Sequence, residues 1–75
     1  MTYAERKNLV EGVRKHILWI ASIYPDNVNR ALDESYGFVQ GVIFAHKDDE
    51  AFFNDMQDMW IKTGDEIRFG RVREV

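Results

Sequence analysis

Few residues in this chain are of a type and spacing that could do chemistry. The run His46-Lys47-Asp48-Asp49-Glu50 sets one imidazole beside three carboxylates. Those are the groups that hold divalent metals or exchange protons near neutral pH. The setting argues against both uses. The acids stand where a helix N-cap belongs, Lys47 puts a positive charge inside the cluster, and the only other histidine, His16, falls on a different helix. Catalysis would further require a cleft and a third positioned group. The expectation is therefore no catalytic residue, no metal and no cofactor: a protein that binds and is not an enzyme.

A second chemical feature is charge. Seven of the thirteen acidic residues lie between positions 48 and 66, opposed only by Lys62. Phe52, Phe53, Met56, Met59 and Trp60 recur through the same stretch at helical spacing, so it reads as an amphipathic helix with an anionic outer face. Most such faces are simply solvated. The functional alternative is that Asp48, Asp49, Glu50, Asp55 and Asp58 engage a protein partner with a basic surface, which long-range attraction would speed. Arg68, Arg71 and Arg73 form a cationic stripe near the C-terminal end. They could hold phosphates, but pairing with the acidic helix or plain solvation is the preferred reading.

The elements that position these groups follow from pattern. Thr2-Tyr3-Ala4-Glu5 is a capping box. Beyond it Val10, Val13, Ile17, Ile20 and Tyr24 recur at three- and four-residue spacing, with Leu9 and Ala21, until Pro25 ends the helix. Asp26 or Asn27 would cap a second helix, along which Val28, Leu32, Ser35, Val39, Val42 and His46 form a broad arc, flanked by Ala31, Tyr36, Phe38, Ile43 and Ala45. That breadth predicts a central helix packed on more than one neighbour. The segment 38–44 also has high β-propensity, so a strand there stays open as the competing assignment. Asp48 or Asp49 would cap the third helix, Asp58 and Lys62 would pair four residues apart, and Lys62-Thr63-Gly64 reads as its exit.

Composition bounds the rest. Seventy-five residues make a single domain, 1–75, near the lower limit for a self-sufficient core, and a hydrophobic content of 45% says that it folds. The chain has no cysteine, and its longest apolar run, residues 17–21, is far too short to cross a membrane. With no secretory leader pattern either, a cytoplasmic protein away from membranes is expected. Net charge of −3 disfavours nucleic acid as a partner.

Two further features bear on binding. Gly37 and Gly41 lie away from the core arc, beside Arg30 and Phe44. A bare strip of this kind permits close approach of another backbone or a flat ligand, or else marks a break in the helix. Trp19 and Ile23 form a ridge separate from the main stripe of the first helix, with His16 and Gly12 on the same side. Packing of that ridge inside the molecule is the preferred reading, and docking to a partner is the alternative.

The stretch Asp49-Glu50-Ala51-Phe52-Phe53-Asn54-Asp55-Met56-Gln57 resembles the last helix of a small phage type II-A anti-CRISPR inhibitor. The resemblance covers about nine of the seventy-five residues. It implies an inhibitor from a phage or mobile element, acting in the host cytosol, that blocks the basic DNA-recognition groove of an RNA-guided nuclease. Asp48, Asp49, Glu50, Asp55 and Asp58 would be the contacting acids.

The expected architecture is all-α: three helices near 3–23, 27–46 and 49–62 and a short C-terminal extended arm. The alternative is α+β, with short strands at 38–44 and 66–72. The expected function is a non-enzymatic interaction protein, an anti-defence inhibitor that binds through the acidic helix face. An alternative is an oligomeric protein that sequesters a small nucleotide, using Trp19, Ile23, Arg30, Gly37, Gly41 and Phe44 as its oligomer or ligand interface. A nucleic-acid-binding regulator is the further alternative. A homo-oligomer is expected in either of the first two cases.

Overall fold

Three helices follow one another in the computed structural model, which describes residues 1–70: α1 (Tyr3–Ile23), α2 (Val28–Ala45) and α3 (Glu50–Phe69). Each start is set by a side chain that satisfies an otherwise orphaned backbone donor. The Thr2 hydroxyl accepts from the Glu5 amide at 3.1 Å, and the Glu5 carboxylate accepts from the Thr2 amide at 2.8 Å. These bonds hold the Glu5 carboxyl below its usual range. Asn27 Oδ1 accepts from the Arg30 amide at 3.1 Å, and Asp49 Oδ1 from the Phe52 amide at 3.0 Å. Of the cap pairs open in the sequence, Asn27 and Asp49 are the ones used.

The helices run up, down and up. His16 faces Phe38 and Tyr24 faces Glu34, so α1 and α2 are antiparallel. Arg6 bonds Asp55 and Arg14 bonds Glu66, so α1 and α3 are parallel. Val13, Ile17, Val39, Phe52, Met56 and Met59 meet along the axis, with Leu9, Val10, Val42, Ile43, Trp60 and Ile67 packed around them. Phe52, Ile17 and Met56 are fully buried. Ser35 is also buried, and its hydroxyl donates back to the Ala31 carbonyl at 2.7 Å.

Several expectations need correction. Residues 38–44 lie inside continuous α2, so the strand assignment is excluded; Val39 supplies core contacts that only helical spacing lines up with Leu32 and Ser35. Nor is α2 the single central helix. Each helix packs on both others, and α1 meets α3 at least as extensively as it meets α2.

The third helix does not end at Gly64. It continues to Phe69, and Gly70 takes the left-handed cap at φ 64°, its N–H donating to the Glu66 carbonyl. The added turns are held by Glu66, which pairs with Arg14, and by Ile67, which packs on the core. Residues 66–69 are therefore helical instead of forming an extended arm. The rest of the proposed strand at 66–72, and Arg71 and Arg73, lie outside the described residues. The Trp19–Ile23 ridge does not pack inside the molecule; the two side chains are 58% and 48% exposed.

Gly64 is buried in the interior of α3, yet a Cβ built on it meets only the Arg68 guanidinium, at 3.6 Å. Substitution Gly64→Ala should raise stability by about 0.5–1 kcal/mol, because helix propensity improves without a clash. Phe52→Ala should lower it by about 3–5 kcal/mol through the cavity it leaves. Urea unfolding of both variants checks the two signs.

Candidate functional site

The exposed side of the α1–α2 pair is where apolar surface collects. On α1, His16, Ile23, Gly12 and Trp19 fall within an arc of roughly 60°, taking about 100° per residue. On α2, Phe38, Gly41, Gly37 and Phe44 fall within an arc of roughly 120° by the same geometry. His16 joins the two arcs, its ring 4.3 Å from that of Phe38 and 5.5 Å from that of Trp19. The ion pairs and core contacts to α3 lie on the other flank of α1, so this face looks away from the third helix.

Phe44 is 71% exposed and Phe38 is 37% exposed. Between them the surface is bare: a Cβ placed on Gly12, Gly37 or Gly41 would have nothing within 4 Å. The face is smooth where the glycines lie and ridged by Trp19 at one margin and Phe44 at the other. Its charges are few and partly engaged. Arg30 bonds Glu34 at 3.3 Å and lies over the Tyr24 ring, 5.1 Å from its centre, while Glu34 also accepts from the Tyr24 hydroxyl. Glu34 accordingly holds the Arg30 guanidinium above its ordinary pKa. Lys47 lies over the Phe44 ring, 5.2 Å from its centre.

The structure thus brings Trp19, Ile23, Gly37, Gly41 and Phe44 onto one side, with Arg30 at its edge. It adds Phe38 to that set and packs His16, which the sequence already places on the Trp19 side, against it. In the sequence Phe38 flanks the core arc of the second helix, and that marginal place is the available signal for its exposure.

The acidic residues are not gathered in the same way. Asp55 Oδ2 bonds Arg6 Nε at 2.6 Å, and the Asp49 carboxylate is the α3 cap. Asp48, Glu50 and Asp58 have no cationic partner among the described residues, and the expected Asp58–Lys62 pair does not form. On α3, Glu50 and Asp58 point roughly 80° apart around the axis, and Asp48 precedes the helix.

Between α1 and α3 runs an open groove of about 440 Å³ with Val10 and Met59 on its floor. Arg6, Lys7, Arg14 and Lys62 line it against Glu11, Asp55, Asp58 and Glu66, so its charges balance. In the 46–50 cluster, the His46 ring packs edge-on against Phe52 at 5.1 Å, and no trio of metal-ligating side chains converges among the described residues.

No family model matches the chain, and no curated protein or solved structure is significantly similar to it.

The two kinds of carboxylate on α3 should separate experimentally. Asp55→Asn removes the partner of a half-buried guanidinium and should cost up to about 1 kcal/mol at low salt. Asp58→Asn, which breaks no pair among the described residues, should stay within about 0.5 kcal/mol of the parent. Equal thermal stabilities for the two would contradict the geometry.

Proposed function

We propose that this chain is a non-enzymatic interaction protein that docks a protein partner through its α1–α2 face. The observation that carries the reading is the exposure of Trp19, Ile23, Phe38 and Phe44 on one side of a small domain, around glycines with open space above them. Large aromatics flanking a flat centre are the usual anchors of protein–protein contacts. None of the four belongs to the core cluster or to the residues packed directly against it.

The second reading is an inhibitor that meets a basic surface through acids of the 48–58 region. Asp48, Glu50 and Asp58 support it, because no cation among the described residues pairs with them. Other residues in the stretch that resembles an anti-CRISPR helix have work inside the domain. Phe52 and Met56 fill the core, Asp49 caps α3 and Asp55 ties α3 to Arg6.

Two folded variants distinguish these readings. Trp19→Ser with Phe44→Ser strips the aromatic face, and Asp48→Lys with Glu50→Lys and Asp58→Lys reverses the acids. Quantitative capture of partners from the native host extract should be weakened roughly thirtyfold or more by the first and little changed by the second. The opposite pattern supports the acidic contact. No change in either rejects both.

A further inference from the structure

The groove between α1 and α3 carries chemistry that docking at the α1–α2 face leaves unused. We infer that it holds a small zwitterion, an α-amino acid with a large apolar side chain, whose head group sits between Lys7 and Asp58. The groove lies on the α3 flank of α1, away from the α1–α2 face, and the inference is independent of docking there.

Size limits the occupant first. The Arg6–Asp55 and Arg14–Glu66 bonds bridge the two helices at either end of the groove. Eight residues of α1 separate the bridges, about 12 Å of helix. A partner helix or extended peptide running along the groove would have to break or climb over both. The volume of about 440 Å³ falls within the roughly 300–1,000 Å³ of small-molecule sites, and the floor of Val10 and Met59 offers apolar contact.

Charge then limits the chemistry. The two bridging bonds join positions 49 and 52 residues apart, and both helices are continuous between them. The same offset brings Asp58 within about one turn of Lys7 across the groove. Both side chains line it, and neither has an ion-pair partner among the described residues. A lone carboxylate drawn to Lys7 would stand beside Asp58, and a lone ammonium drawn to Asp58 would stand beside Lys7. Lys62 is no better for a lone anion, because Asp58 and Glu66 lie one turn either side of it on the same wall. Glu11 is engaged by Arg14 at 3.6 Å and does not compete for an ammonium. A head group that carries both charges on adjacent atoms escapes these penalties: its carboxylate meets Lys7 and its ammonium meets Asp58. The apolar body then lies over Met59 and Val10.

The experiment is a titration of the full chain with L-phenylalanine, hydrocinnamate and phenethylamine, which share an aromatic body and differ in charge. The methyl NMR signals of Met59 and Val10 are the readout. Phenylalanine should shift them saturably with a Kd on the order of a millimolar, and the singly charged probes should bind at least about tenfold more weakly. Lys7→Gln and Asp58→Asn break no ion pair among the described residues, so both variants should fold as the parent does. Asp58→Asn should turn the preference toward hydrocinnamate and Lys7→Gln toward phenethylamine, a switch that a merely structural role would not produce. Absence of a saturable shift at concentrations roughly tenfold above that Kd overturns the site. Equal affinity for all three probes overturns the zwitterion, and an unswitched preference in the variants overturns Lys7 and Asp58 as its partners. Shifts centred on Trp19 and Phe44 overturn the location while leaving the docking reading untouched.

Discussion

The constraint beneath everything else is the narrowness of the space between three helices. Where three cylinders meet, each can turn only one stripe inward, and the interior is a column little more than one side chain across. Val13, Ile17, Val39, Phe52, Met56 and Met59 fill that column. The chain carries ten aromatic residues, far more than such a column admits. Apolar side chains beyond the stripe must therefore stand at the surface or wait for a partner. That geometric surplus, more than any chemical motif, is what gives the molecule a face.

The ion pairs follow from the same arrangement. The direct contacts between α1 and α3 join residues some fifty positions apart in the chain, at Arg6–Asp55 and Arg14–Glu66. Both pairs are partly exposed, so each contributes little to stability. Their effect is on arrangement: they set the two parallel helices in one register and draw carboxylates of α3 inward. A sequence rich in acid thereby yields a surface less anionic than its composition implies.

How much of this could be read beforehand depended on whether the signal was local. Thr2 with Glu5, Pro25, Asn27 and Asp49 state the helix ends in residues that act on their own neighbours, and they were legible. The stripe of Val13, Ile17 and Ile20 was legible for the same reason. Gly64 misled because a glycine after Lys62 and Thr63 has the form of an exit, whereas the helix is carried past it by Ile67 and Glu66 acting on α1. The exposure of Trp19 was beyond reach of periodicity. A second ridge is buried or bare according to whether a further element covers it, and the ridge itself does not encode that. The Arg6–Asp55 bond was likewise invisible, since spacing along one helix says nothing of which cation on another will face it. Trp19, Ile23, Gly37, Gly41 and Phe44 each stand off the core stripes in the sequence, but that they share one exposed side came only with the antiparallel packing that lets His16 touch Phe38.

The two connections, Tyr24 to Asn27 and His46 to Asp49, are each only four residues long. Short turns of this kind bring sequential helices together at small entropic loss, the topology of fast folders. The α1–α2 and α2–α3 hairpins can form independently as the chain emerges, whereas the parallel seam between the first and last helices must wait for nearly the whole polypeptide. Until that seam closes, Phe52, Met56 and Met59 have only half their cover, so the interval before completion is when the nascent chain is most prone to stick to its neighbours.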